Sequence, residues 1–335
     1  MKQFVLGLLV LLIVSCGTGK TDRAAKDSVK EKYANQIKPE DLKEHVYLLS
    51  SDILEGRKTG EKRQEMAVNY FTAYYDHIGL LAPTTYPEYT QEIPVTYFEN
   101  KSSGPSENVL AFVQGSQFPN EVVVISAHYD HLGMKDDEVY NGADDNASGS
   151  SALMELAQSF QLAKKQGNGP KRSILFLHLT GEEIGLYGSQ FYIENPVFSL
   201  DSTVVDLNID MVGRVDEAHM DKKDYIYLIG SNRLSSDLHK LSEKANKQFT
   251  NLKLDYTYNE LNDPYKYYER SDHYNFAKNN IPVIFYFNGT HEDYHQITDT
   301  ADKIDFDLLA LRTQLVFYTA WEIANREDRL VLDEK

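Results

Sequence analysis

Residues 121–130 read EVVVISAHYD and residues 141–149 read NGADDNASG. The first is a run of β-formers that delivers His128 and Asp130 at its C-terminal end. Residues two apart on a strand point to one face, so these two side chains can share a site. The second is a turn carrying Asp144 and Asp145, followed by a segment whose Leu153, Leu156, Ala157 and Phe160 recur at helical spacing. Strand, turn and helix in this order predict an α/β unit.

Working outward, the pattern repeats. Strands are expected at 108–113, 121–126, 173–179, 203–209, 225–229 and 282–287. Helices are expected from Pro39, over 61–77, 147–163, 186–194 and 235–249, and as a closing helix over 306–324. Alternation of this kind argues for an α/β fold with a mostly parallel central sheet covered by helices on both faces. Residues 84–105, rich in Pro, Tyr and Thr, read as a loop or an edge hairpin. The chain shows no internal repeat, and nothing marks a second globular domain.

Composition narrows the function. The 335 residues are 41% hydrophobic and 12% aromatic, enough to fill one large core. Net charge is −17, from 34 basic and 51 acidic residues. Such a surface repels phosphate backbones and excludes nucleic acid as a partner class. The one cysteine, Cys16, rules out an intramolecular disulfide. Lys2, the apolar run from Phe4 to Val14 and the tetrad Ile13-Val14-Ser15-Cys16 form a lipoprotein signal pattern. It divides the chain into a signal peptide (1–15), a lipidated Cys16 with a flexible polar tether (16–38) and one domain (39–330). An exported bacterial lipoprotein held to a membrane by its N-terminal lipid is the expectation. An ordinary secretory signal with an incidental cysteine is the alternative, and both predict export.

In open α/β sheets, ligands bind beyond the C-terminal ends of the strands. His128, Glu182 and Glu183, Asp210, and His295 all follow the ends of apolar strands, and Asp145 lies in the intervening turn. Imidazoles and carboxylates converging on one rim make a metal-site inventory. Asp144 and Asp145 also suit helix capping, the reading favoured for Asp144 alone. Asp210 resists a bland explanation, because an unpaired buried carboxylate is costly. His45, His77, His131, His178, His219, His239 and His291 read as surface or structural residues. His273 reads equally well as a pocket wall or as a structural residue. The tyrosine-rich stretch 256–268 suggests a substrate rim, with edge packing as the alternative.

The segments AHYD, NGADDNASG, TGEEIGLYGS, NIDM, ERSDH and EDYHQITDT together resemble the M28 family of zinc metallopeptidases, over roughly residues 40–325. SSDILEGRKTGE resembles the lead-in segment of bacterial members. The resemblance implies two Zn2+ ions bridged by Asp145. His128 and Asp210 would complete one site, and Glu183 and His295 the other. Glu182 would be the general base, and Tyr294 would polarise the oxyanion. Asp130 would orient His128 through its far ring nitrogen, and Arg270 would anchor substrate. The implied activity is aminopeptidase hydrolysis of peptides. Glutaminyl-peptide cyclisation, carboxypeptidase or dipeptidase action and a dead peptidase scaffold are the alternatives. The sequence leaves oligomeric state and membrane leaflet open.

Overall fold

The computed structural model describes residues 18–334, with side chains described from residue 26. The signal-peptide expectation and Cys16 lie outside the described residues. Eight strands build one sheet: β1 (Thr90–Ile93), β2 (Ser106–Val113), β3 (Phe118–His128), β6 (Arg172–Leu179), β7 (Thr203–Ile209), β8 (Tyr225–Ile229), β9 (Lys253–Asp255) and β10 (Val283–Phe287). Between β3 and β6 lies a small hairpin of β4 (Gly133–Lys135) and β5 (Glu138–Tyr140). The strand order is β1-β2-β6-β3-β7-β10-β8-β9. The central four, β6-β3-β7-β10, are mutually parallel. β1, β2 and β8 run antiparallel to their inner neighbours. The segment read as a loop or edge hairpin thus supplies the edge strand β1.

Period-two alternation sorts the core into two layers. Val123, Ile125, Ile174, Phe176, Val205 and Leu207 face one side. There they meet α2 (Pro39–Leu49), α3 (Lys62–Ile78), α4 (Gly149–Lys165), α6 (Ser236–Ala245) and α8 (Phe306–Asn325). Val122, Val124, Leu175 and Leu177 face the other side, toward Tyr192 of α5 (Tyr187–Glu194) and Phe276 of α7 (His273–Ala277). This is an α/β fold with a mostly parallel core sheet and helices on both faces, as its sequence periodicity implies.

The tether expectation is corrected. Thr18–Ala34 forms a helix, α1. Tyr33, Ala34 and Ile37 are fully buried, and Tyr33 stacks on Trp321 of α8 at 5.9 Å between ring centroids. Val29, Tyr33 and Ile37 recur every four residues, so a thin apolar stripe survives inside a polar composition. Lys30 closes the contact through an ion pair with Glu322.

Candidate metal centre

The four parallel strands end on the same side, and each contributes to one cluster. His128 is the last residue of β3, and Asp210 follows β7 directly. Glu182 and Glu183 sit three and four residues past β6, and His295 lies in the loop after β10. Asp145 occupies the wide turn that leads into α4. Its Oδ1 is 3.3 Å from His128 Nε2, and its Oδ2 is 3.1 Å from His295 Nε2. Asp210 Oδ1 is 3.3 Å from His128 Nε2, and Glu183 Oε2 is 3.3 Å from His295 Nε2. One carboxylate therefore faces two imidazole–carboxylate pairs, one on each oxygen.

The Asp145 turn is held from three directions. Asp299 accepts the backbone N–H groups of Asp144 and Asp145 at 3.1–3.2 Å. Asn146 donates to the Ile209 carbonyl at 2.9 Å and accepts the N–H of Gly149 at 2.9 Å. Gly149 is required here, because a Cβ would lie 2.5 Å from that same carbonyl. Arg57, fully buried in the lead-in segment, donates to the carbonyls of Leu49, Tyr129, Asn141 and Gly142. It clamps the end of β3 to the start of the turn.

Several sequence expectations are refined. Asp130 does not work mainly on His128: its carboxylate is 3.7 Å from Nδ1, while its own backbone carbonyl is at 3.2 Å. The carboxylate instead accepts the backbone N–H of Glu182 (3.1 Å) and Glu183 (3.3 Å) and the Thr59 hydroxyl (2.8 Å). Asp130 thus shapes the Glu-Glu turn. Asp144 makes no side-chain helix cap; it accepts the Gly213 N–H at 2.7 Å and pairs with His291 at 3.1 Å. His131, set aside in the sequence, is buried with Nδ1 2.7 Å from Glu183 Oε1 and 3.8 Å from Asp145 Oδ2. Its position three residues after His128 was the available signal.

Tyr294 stacks on His295 at 3.8 Å, and Arg270 reaches its hydroxyl at 3.4 Å while lying over the Tyr267 ring. Both line a pocket beside the cluster, together with Met211, Phe285, Phe287 and Thr290. Of the tyrosine-rich stretch, Tyr267 lines this pocket, and Tyr258 packs against Tyr227 and Phe287. His273 stands behind the wall, stacked on Phe285 at 4.8 Å.

The electrostatics follow from crowding acids in a dry place. Burial pushes the Glu182 carboxyl well above the carboxylate range; His128 opposes this, and Glu183 and Asp210 add to it. Burial also works against ionised Asp145, but hydrogen bonds from His128 and His295 hold it well below its ordinary value. His295 is pushed up to about 10, since its hydrogen bonds to Asp145 and Glu183 outweigh burial. Four carboxylates and three imidazoles gathered in one cluster out of water are a costly arrangement that a bound cation would stabilise.

Two sets of donors lie close enough to hold a metal ion: His128, Asp145 and Asp210, and His131, Asp145 and Glu183, each with donor atoms within 4.8 Å of one another. Nitrogen-plus-oxygen donor sets of this kind fit a divalent transition ion such as zinc.

Two clusters sharing one aspartate at the ends of parallel strands define the zinc-exopeptidase class of α/β fold. The chain belongs to peptidase family M28, whose profile matches residues 108–320. A probable zinc metalloprotease of Pyrenophora teres f. teres is 40% identical over 111 residues, covering 32% of this chain and 22% of that protein. Leucine aminopeptidase 2 of Trichophyton equinum is 27% identical over 253 residues, covering 69% of this chain and 46% of that protein. The chain thus spans less than half the length of these two relatives. Among solved structures, the LapA aminopeptidase of Legionella pneumophila superposes with a TM-score of 0.70 at 20% identity, covering 90% of this chain and 76% of that one. At that identity the likeness is one of fold.

Proposed function

We propose that this chain is a di-zinc exopeptidase that releases N-terminal residues from peptides. The observation that carries the reading is the divided Asp145 carboxylate, with one oxygen toward His128 and the other toward His295. In this reading Asp145 would be shared by two zinc ions, with His128 and Asp210 holding one and Glu183 and His295 holding the other. The ions would supply Lewis acidity and a lowered water pKa.

The chain's own residues do the rest. Glu182 lies beside the cluster with its proton affinity raised by burial. As general base it takes a proton from the attacking water and returns it to the leaving amine. Asp130 orients it, since its carboxylate fixes the backbone N–H of Glu182. The Tyr294 hydroxyl, at the pocket edge, donates to the oxyanion that forms on the cleaved carbonyl. Met211, Phe285 and Phe287 form the apolar part of the pocket lining, beside Arg270, Thr290 and the carboxylates of the cluster.

Arg270 favours one second reading. It is the cation of the pocket lining, and it could take a substrate's terminal carboxylate, as a carboxypeptidase or dipeptidase requires. Metal analysis with a panel of aminoacyl, glutaminyl and carboxy-terminal peptide substrates separates the two readings and also tests for cyclisation. Aminoacyl turnover with two zinc ions per chain supports the first, and carboxy-terminal release lost in Arg270→Ala supports the second.

Export and lipid attachment at Cys16 belong to the same proposal. They rest on the sequence pattern ending at Cys16. No helix of the described residues is long and apolar enough to cross a membrane. Detergent-phase partitioning of the expressed chain, lost in Cys16→Ser, is the expected result.

A further inference from the structure

Under the metal centre, on the α5–α7 face of the sheet, runs a line of buried polar side chains that the proposed chemistry does not use. Asp206 and Asn208 alternate on β7, and Ser126 of β3 lies beside both. Ser126 Oγ is 2.7 Å from Asp206 Oδ1 and 3.0 Å from Asn208 Oδ1. Asn208 Nδ2 is 2.8 Å from Ser271 Oγ, which is 2.7 Å from Asp210 Oδ2. Asp206, Ser126 and Asn208 are fully buried, and Ser271 is 1% exposed.

Counting hydrogens decides the state of this line. Four contacts need four hydrogens. Each serine hydroxyl supplies one, and the Asn208 amide supplies one, because only one of its two ends can be the donor whichever way it is turned. With both aspartates ionised, the line is one proton short. A proton on either end completes it. Asp210 is partnered on both oxygens, by His128 Nε2 at 3.3 Å and by Ser271 Oγ at 2.7 Å. Asp206 is hydrogen-bonded only to Ser126, its second oxygen has no partner, and the neighbouring ionisable groups are Tyr192, whose hydroxyl also has no partner, and the buried acid Asp272.

We propose that Asp206 is held as a neutral carboxylic acid and sets the direction of a hydrogen-bond line that ends on Asp210. Asp206 donates to Ser126, Ser126 to the Asn208 carbonyl, the Asn208 amide to Ser271, and Ser271 to Asp210 Oδ2. That last bond fixes the Asp210 carboxylate with its other oxygen toward His128. Burial, reinforced by Asp272 and opposed by Ser126, raises the Asp206 carboxyl well above the carboxylate range, in agreement. Asp206 is thus a positioning residue. Only its effect on metal binding rests on the zinc reading above; its protonation does not.

The experiment is a difference infrared spectrum of the full chain, wild type against Asp206→Asn, at neutral pH. The expected result is a carbonyl band of a protonated, hydrogen-bonded carboxylic acid that vanishes in the variant. A stability series adds a second readout. An acid kept neutral in the fold ionises in the unfolded chain above about pH 4, so its stabilising contribution is lost as pH rises. The urea midpoint of Asp206→Asn is therefore expected to exceed that of wild type at neutral pH, with the two converging as pH falls toward 4. Asp272 and Tyr192 are the ionisable groups that face Asp206, and Asp272→Asn in both backgrounds separates the Asp272 contribution from that of Asp206. For the metal end, Ser271→Ala is expected to weaken zinc binding at the His128–Asp210 site by about 10–100-fold while the Asp206 band persists. A wild-type-minus-variant spectrum without such a band overturns the proposal, as does an Asp206→Asn midpoint below wild type at neutral pH. A band that vanishes on substitution in a chain that binds no zinc upholds the neutral acid and overturns the metal reading alone.

Discussion

Asp145 and Glu182 divide the work at the scale of single residues, and substitution separates them. Asp145 faces both imidazole–carboxylate pairs, so Asp145→Ala is expected to lose both zinc ions, read by metal analysis after dialysis. Retention of either ion at wild-type affinity would remove Asp145 as the bridge. Glu182 belongs to neither donor set among the described residues; its backbone N–H is what Asp130 holds. Glu182→Gln is therefore expected to keep both ions and lose about 10²–10⁴-fold in turnover. Unchanged turnover would move the general base elsewhere. Much of this was legible, because each candidate follows an apolar strand and a strand end is where an α/β sheet binds ligands. What single-residue reading missed were the supports. Asp299 lies within the quoted ITDT segment, yet nothing in the chain announces that it accepts the amides of residues 144 and 145. Asp130 lies at the far ring nitrogen of His128 as read, 3.7 Å away, but a two-residue spacing does not show that the same carboxylate also reaches the amides of Glu182 and Glu183.

At the scale of elements, the site depends on how the β3 end, the Asp145 turn and the lead-in segment are tied together. Arg57 ties them. Its guanidinium serves four carbonyls in a place from which water is excluded, and burial lowers its pKa to about 10 despite four nearby carboxylates. Arg57→Met keeps the length of the side chain but strands those carbonyls. The expected cost is about 3–5 kcal/mol of unfolding free energy, measured by urea denaturation. A loss under about 1 kcal/mol would show that the carbonyls find other donors. Helix α1 teaches the opposite lesson about legibility. Its composition is that of a tether, and its burial rests on three residues at a spacing of four. Local polarity masked a stripe that the surfaces of α4 and α8, far along the chain, turn into a core contact.

The whole molecule pairs an acidic surface with an unusually polar interior, and that interior sets its response to acid. His178 of β6 is fully buried, stacked on Phe71 at 3.8 Å, accepting from Tyr75 at Nε2 and unpartnered at Nδ1. Burial pushes its pKa down to about 3. Its unfolded value is about 6.5, so below that pH the unfolded chain takes up a proton that the fold refuses. Stability is thus lost as pH falls from about 6.5 toward 3, amounting to about 2 kcal/mol by pH 5 from this group. Urea midpoints at neutral pH and pH 5 should show a smaller drop in His178→Gln than in wild type; equal drops would exclude His178 as the source. At this scale the sequence was most readable: alternating strands and helices gave the sheet, its two covered faces and the rim that carries the site. The edge strands were not readable, because β1 has four residues and β9 three, too few to show a period-two pattern. The claim on which the rest depends is a pair of metal ions joined by one aspartate. Anomalous scattering at the zinc edge from crystals of the metal-loaded protein tests it directly. Two peaks about 3.5–4 Å apart, one on each oxygen of Asp145, are predicted; a single peak, or two that share no oxygen-bearing side chain at residue 145, would contradict it.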